Sequence, residues 1–529
     1  MGLSNSEARG RRGHTPDDGC GQWYDATHWV DGIGPRWLSE ADIISDANSP
    51  DRASDHGSDS VVGSSPEPAR RRAGGLGLAT AKRLTARKWP AVMTVASLAL
   101  GMAYMLWWGP LVHHEPVWTT GGDLWGVFRG AHYVGWGFLG GIYTPTNSII
   151  TFPGMSVLLA PVAMLSGRLQ LTESVWPFML ERPGAALLLQ PVELLLASTV
   201  LFAVDSLAER LGVGQRRRIS LCMVVATIAW PVSAIWGHAE DVLAMTFAIY
   251  AMVAMLDRQW SRCGWLFGFG IVMQPLVALM LPLFIGATPR GKRVLLALRS
   301  SAVSVALVAV AFAGAASDTY RALVKQPTPP SVNHATPWVA LAPKVTSVVV
   351  LPTHSVSVSL TQGHYLVTGG AASAESIVLV AGGPGRSIDV VIALIFGVYV
   401  WRRPQQWARL LWLAAVVLTS RCFFEAVMTP YYIAPPLLLA LALAARQSGK
   451  RFWAATILAL EITVFAYYHL SPWAWWLPIL AGLVAILVLG YPTDLASESG
   501  SPVESACEST SVDQGLQLPE PARLSELAL

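Results

Sequence analysis

The chain has 529 residues, 53% of them hydrophobic and only 13% charged, with a mean hydropathy of +0.45. A water-soluble domain carries about a quarter charged residues, so soluble enzyme classes are excluded at the outset. The net charge of +3 offers no nucleic-acid footprint, and the basic residues sit in short clusters between apolar runs, where charge encodes topology.

Five cysteines (Cys20, Cys222, Cys263, Cys422 and Cys507) are scattered, with no CxxC pair and no His partner at metal-ligand spacing. Neither a disulfide framework nor a zinc site is expected. Among the basic residues Arg far outnumbers Lys, which points to a GC-rich, bacterial coding sequence.

Residues 1–88 are rich in Gly, Ser, Asp, Arg and Pro without apolar periodicity, and are expected to form a disordered cytoplasmic tail with no secretory signal. From residue 89 to 490 the chain is a succession of apolar runs, each near the roughly 20 residues a membrane-spanning helix needs. They fall at 89–108, 149–166, 184–204, 219–237, 241–256, 263–287, 298–316, 387–401, 407–428, 431–445, 452–469 and 472–490. Residues 491–529 are polar again and are expected to form a second disordered cytoplasmic tail.

Basic residues before the first run (Arg70, Arg71, Arg72, Lys82, Arg83, Arg87, Lys88) place the N-terminus in the cytoplasm. The clusters at Arg216–Arg218, Arg258 with Arg262, Arg290–Arg299, Arg402–Arg409 and Arg446–Arg451 should be cytoplasmic too. A strict count of spans puts some of them outside. Parity is restored if 149–166, with Pro153, Gly154 and Pro161, is re-entrant or interfacial, and if 263–287 breaks at Gln274-Pro275 into a tight hairpin. The expected fold is then an all-α polytopic helix bundle with about 12 transmembrane helices, both termini inside, and large outer loops at 109–183 and 317–386. Trp107, Trp108, Trp236, Trp401, Trp453, Trp473 and Trp476 fall near helix ends, where interfacial aromatic anchors sit.

Polar residues converge on the outer side of this topology. Asp123 lies in the first outer loop, where a carboxylate at the membrane surface could take a proton from a hydroxyl; Arg129 and His132 are its nearest titratable neighbours. The plainer alternative is a loop Asp capping a short helix. The turn TrpGlyHisAlaGluAsp (236–241) presents His238, Glu240 and Asp241, with helix capping as the alternative for the two acids. Arg421 and Glu425 are four residues apart on one helix face inside the bilayer, where charges usually face a cavity or a partner. The guanidinium of Arg421 suits a lipid-linked phosphate, with a structural ion pair as the alternative. His334 in the second outer loop is a candidate acid or base, and Gln274 at the hairpin tip reaches the same face.

At these residues the sequence resembles the GT-C superfamily of integral-membrane glycosyltransferases, in particular polyprenyl-phosphate-mannose-dependent mannosyltransferases. The resemblance rests on Asp123, on Tyr143 with Phe152-Pro153, on Gly237-His238 with Asp241, and on the stretch 263–282. In that stretch Gln274 stands where the family frequently has Lys, which departs from a phosphate contact there. The resemblance implies that Asp123 is the base activating an acceptor hydroxyl; with the residues picked out by charge and topology, Arg129, His238, Glu240, Asp241, Gln274, His334, Arg421 and Glu425 are the expected donor- or acceptor-binding set. The donor would be a polyprenyl-phosphate sugar and the acceptor a glycolipid or glycan, on the outer face of a bacterial plasma membrane. No cofactor is called for with certainty and no metal ligand set is evident, although a divalent cation is compatible. The alternative from another class is a transporter or flippase for a lipid-linked or anionic substrate; a third is a non-catalytic scaffold of envelope assembly.

Overall fold

A computed structural model describes residues 87–108, 122–143, 149, 151–175, 178–181, 183–326, 334–351, 357–361, 364–368, 373–380, 383–468 and 470–493. The two predicted tails, save Arg87, Lys88 and 491–493, lie outside the described residues, as does 109–121 of the first outer loop. The described chain is mostly helical. Six helical stretches are long and apolar enough to cross a membrane: Lys88–Trp107, Gly184–Arg210, Ala239–Leu256, Arg290–Gly314, Trp407–Phe424 and Pro472–Gly490. Three shorter apolar helical stretches cover Gly154–Arg168, Pro275–Ala287 and Pro430–Arg446.

In chain order the helices are α1 (Lys88–Ala103), α2 (Gly122–Gly135), α3 (Gly154–Arg168), α4 (Pro183–Arg210), α5 (Gln215–Ala234), α6 (Ala239–Leu256), α7 (Trp260–Met273) and α8 (Leu281–Ala287). They continue with α9 (Arg293–Gly314), α10 (Ala316–Tyr320), α11 (Gly385–Arg402), α12 (Trp407–Phe424), α13 (Ala434–Arg446), α14 (Gly449–Phe465) and α15 (Pro472–Gly490).

Helix α13 is built of Ala, Leu and Pro and is buried from Ala434 to Ala445 on every side; a helix apolar all round belongs at a core. It packs against α4, α5, α12, α14 and α15. At the periphery the pattern inverts. Val92, Val95 and Leu100 on α1, and Val294, Leu298, Val305 and Val310 on α9, are all more than half exposed. Apolar faces of that extent fit contact with lipid. Small residues let neighbours approach closely: a Cβ on Gly286 of α8 would lie 2.6 Å from the Gly397 carbonyl oxygen of α11.

The predicted break at Gln274 is present. Gln274 is extended (φ −146°, ψ 118°) between α7 and a short 3-10 helix, Pro275–Met280, that leads into α8. Proline cannot donate to the helix ladder and biases the residue before it away from α geometry, so Gln274-Pro275 ends α7. The chain then returns, because Lys292 and Arg299 beyond α8 line the same cavity as Trp260 and Arg262 at the start of α7.

The run at 149–166 becomes α3, which starts against α7: a Cβ on Gly154 would meet the Val272 carbonyl oxygen. With α2, against which it packs, α3 forms a layer over that end of the bundle.

The segment at 317–386, expected as a large outer loop, departs from a purely helical fold. Its Val- and Ser-rich segments pair as antiparallel strands, β4 (Lys344–Leu351) with β7 (Ser373–Val380) and β5 (Ser357–Thr361) with β6 (His364–Thr368). A further hairpin, β1 (Thr172–Val175) with β2 (Phe178–Glu181), precedes α4. The Val and Thr residues of the longer strands are β-branched and favour the pleated geometry. The two-residue pair β3 (His334–Ala335) with β8 (Val427–Met428) ties this loop to the exit of α12.

Of the expected tryptophan anchors, Trp107, Trp401, Trp453 and Trp473 are more than half exposed. Trp236 and Trp476 turn inward instead: Trp236 packs on Tyr431 and Tyr467, and the Trp476 indole donates to the Cys422 carbonyl at 3.2 Å. The Trp108 side chain lies outside what is described.

Candidate functional site

Helix α5 ends at Ala234 and the chain turns at Gly237, whose φ of +74° is the left-handed conformation that glycine adopts at least cost. The Gly237 and His238 amides donate back to the Ser233 and Val232 carbonyls at 2.9 and 3.0 Å. This tight closure delivers His238 at the N-cap of α6, with Glu240 and Asp241 in the first turn. The acids do sit where helix capping would put them. They also face His238.

Both nitrogens of the His238 ring are engaged by carboxylates. Nε2 lies 2.7 Å from Asp123 Oδ2, and Nδ1 lies 2.8 Å from Glu240 Oε1 and 3.6 Å from Asp241 Oδ2. The ring stacks on Tyr431 with centroids 3.9 Å apart. Asp123, in the first turn of α2, keeps 65% of its side chain exposed while Glu240 and Asp241 are buried. One edge of the Asp123 carboxylate is therefore held and much of the rest is open. Gln274 Nε2 donates to Asp241 Oδ1 at 3.0 Å, so the hairpin tip closes the floor of the site.

The charges shift accordingly. For His238, burial works against the charged ring, but Glu240, and then the bond to and charge of Asp123, outweigh it and hold the imidazolium well above its usual range. For Asp123, burial of the carboxyl opposes ionisation, yet the hydrogen bond and charge of His238 hold it below the ordinary carboxylate range. The pair is an imidazolium bridging carboxylates.

A second group continues from the first. Tyr431 meets Tyr432 edge-on at 5.0 Å, and the Arg421 guanidinium lies 3.6 Å over the Tyr432 ring. Arg421 Nε is 3.6 Å from Glu425 Oε2, as the four-residue spacing predicts. Glu425 does not extend the helix; it caps α12 in extended geometry. Arg386, at the start of α11, donates through Nε and Nη2 to Glu425 Oε1 at 3.0 Å each. Asp123, His238, Glu240, Asp241, Gln274, Arg421 and Glu425 thus fall in one connected constellation.

Two expected members stand apart from it. Arg129 Nε reaches the Trp125 carbonyl at 3.4 Å, and no contact with His238 is found for it among the described residues. His334 is buried and stacks flat on Trp475, with centroids 4.1 Å apart and planes 4° apart; its strand serves to anchor the loop, and neighbouring Thr336 donates to the Glu425 carbonyl at 2.7 Å. His132, the other neighbour of Asp123, is buried between Phe128 and Trp136, and burial pushes it down to about 4.

Sequence reasoning missed Glu193, Arg386, Asp389 and the stacking role of Tyr431 and Tyr432. Glu193 on α4 is fully buried beside Glu240 and the Ala239 amide that opens α6, and Gln190 one turn away is also buried, with neither side-chain polar atom hydrogen-bonded among the described residues. Asp389 on α11 is buried beside Ser420. The signal was present: a Glu or Asp inside an apolar run is costly and marks a cavity or partner.

One atom from each of His238, Glu240 and Asp241 can be chosen so that all lie within 4.8 Å of one another, a spacing that could hold a cation. With both ring nitrogens committed to carboxylates, a cation could enter only by displacing a ring proton. As it stands the cluster suits proton and hydroxyl chemistry better than metal ligation. Comparison with protein-family models and with curated proteins returns no match.

Proposed function

We propose that the chain is a membrane glycosyltransferase that moves a sugar, mannose by resemblance, from a polyprenyl-phosphate donor to a lipid-linked or glycan acceptor on the outer face of the plasma membrane. The observation that carries this reading is the 2.7 Å contact of Asp123 with His238. An ionised carboxylate is held at the mouth of a helix bundle, with most of its side chain open to a substrate. In the reaction, an acceptor hydroxyl oxygen attacks the anomeric carbon as its proton passes to Asp123. The bond from that carbon to the phosphate oxygen breaks on the opposite side, giving inversion. His238 keeps Asp123 ionised and oriented, and Arg421 with Arg386 neutralises the departing polyprenyl phosphate. Glu425 holds both guanidinium groups and limits their net charge when no donor is present. The basic loops support the orientation with both termini inside.

The test is transfer of radiolabelled mannose from polyprenyl-phosphate mannose to membrane acceptors by the purified chain, beside Asp123→Asn. Transfer that disappears in a folded Asp123→Asn variant is expected. The fully buried Gln190 and Glu193, polar groups one turn apart inside an apolar helix, favour a second reading, a transporter with a polar path through α4. Absence of transfer from several polyprenyl donors, together with movement of a lipid-linked substrate across proteoliposomes that stops in Glu193→Gln, would establish that reading instead.

A further inference from the structure

The far end of α6 carries a second feature. Helix α6 has 18 residues, about 27 Å at 1.5 Å per residue and close to the roughly 30 Å of a bilayer's hydrocarbon core. Its C-terminal turn leads away from His238 into a cavity of about 820 Å³ whose lining includes Arg258, Arg262, Lys292 and Arg299. No carboxylate of the described residues lines it. The nearest acid in sequence, Asp257, is taken by Arg210 through bonds of 3.0 and 2.8 Å. Among the described residues none of the four cations is paired with a carboxylate. Arg258, Arg262 and Lys292 are exposed and Arg299 is half-buried; like charges gathered around one cavity without a paired carboxylate among the described residues attract an anion.

The walls say which kind of anion. Trp260 and Trp265 share the lining with the cations, and Trp265 is 42% exposed. The outward face of α9 alongside is apolar, with Val294 72% and Leu298 60% exposed. A soluble anion has no use for tryptophan and an aliphatic wall, whereas an anionic phospholipid fits all three: phosphate on the guanidinium groups, glycerol backbone on the indoles, acyl chains along α9. Arg258 adds a further sign. It adopts the left-handed conformation, φ 56°, at the C-terminal turn of α6, where glycine is the inexpensive choice. We propose that this cavity is a specific binding site for an anionic phospholipid of the leaflet opposite the His238 site. The proposal rests on the chain lying in a membrane and not on glycosyl transfer.

The test uses the full-length protein in phosphatidylcholine nanodiscs, titrated with phosphatidylglycerol and read by retained lipid in native mass spectrometry and by thermal stability. Saturable retention and a rise in Tm are expected with phosphatidylglycerol, and neither with added phosphatidylcholine nor with inorganic phosphate. The combined variant Arg258→Gly, Arg262→Gln, Lys292→Gln, Arg299→Gln should weaken binding by roughly fivefold for each cation removed. Arg402→Gln with Arg403→Gln, exposed charges near Trp401 outside the cavity, should leave it unchanged. Equal loss in that control, equal retention of phosphatidylcholine, or displacement by inorganic phosphate would overturn the assignment. If the combined variant does not fold, Arg258→Gly alone decides, since it relaxes the backbone while removing one cation; unchanged binding would overturn the proposal. A chain that stays monodisperse without detergent or lipid would instead remove the membrane premise.

Discussion

Replacing His238 by Leu tests the site at its centre, because it removes two donors and a charge in one step. The costs at its two carboxylates are unequal. Asp123 keeps 65% of its side chain exposed, so water replaces the lost partner and an exposed pair is worth under about 1 kcal/mol. Glu240 is 1% exposed, and its Oε2 has no hydrogen bond among the described residues. Leaving that carboxylate without its imidazolium, next to Asp241 and Glu193, falls in the class of a broken buried pair, about 3–5 kcal/mol. His238→Leu should therefore unfold several degrees below the wild type in neutral detergent, followed by tryptophan fluorescence, while Asp123→Asn stays within about a degree. Adding Glu240→Gln to His238→Leu removes the stranded charge and should recover at least half of the loss. If His238→Leu proves no less stable than Asp123→Asn, or if Glu240→Gln gives no recovery, the bridging imidazolium is refuted.

The same pair sets a pH window. His238 is raised in the folded state, so its contribution is complete below the ordinary imidazole value of about 6.5 and is lost as pH rises through the raised value. Asp123 is lowered, so its contribution is complete above about 4 and is lost as pH falls through the depressed value. The stability difference between wild type and His238→Leu should be largest between pH 4 and 6.5, in approximate terms, and shrink in alkali; a difference that grows above pH 8 would contradict the assignment. Exhaustive chelation should leave Tm and any transferase activity unchanged, because the ring nitrogens are already committed; loss on chelation with recovery on adding Mn²⁺ or Mg²⁺ would show that a cation displaces the ring proton. Gly385→Ala places a methyl group against the Phe424 carbonyl oxygen, and should destabilise by about 1–3 kcal/mol by forcing α11 from α12. It should also weaken the Arg386 contact to Glu425, read as lower donor affinity with less change in turnover.

Much of the architecture was legible in the sequence because the membrane imposes a single requirement, apolar length, on each span. Gln274-Pro275 showed as a break because proline removes a donor wherever it stands. The outer loop at 317–386 was harder to read. Its strands KVTSVVVL and SAESIVLV are short, Val-rich runs, a signal weaker than helical hydropathy and easily masked by the apolar character of the whole chain. Arg129 was grouped with Asp123 through nearness in sequence, yet six residues along a helix place two side chains on different faces.

The site itself was readable as single charged residues but not as a network, and the reason is geometric. Asp123 and His238 are 115 residues apart, and only the docking of α2 on the α5–α6 turn brings them to 2.7 Å. What a sequence does disclose is cost. Glu193 and Asp389 stand inside apolar runs, where an ionisable group is retained only against a strong penalty. Both lie beside the constellation, Glu193 next to Glu240 and Asp389 next to Ser420 and Arg421. Buried acids therefore flank both halves of the site, the His238 half and the Arg421 half. A bundle needing only stability would replace such groups with apolar side chains at little loss. Their presence around two arginines and an imidazolium is the arrangement expected where a charged substrate enters and displaces part of an existing charge balance. Glu193→Gln discriminates: under the glycosyltransferase reading it should preserve or raise stability and leave the transfer rate within a few-fold, because the Asp123 contact to His238 does not pass through it. A complete loss of transfer in a folded Glu193→Gln protein would mean that the proton leaves Asp123 through His238 and Glu240 into α4, and the open edge of Asp123 would no longer suffice as the base.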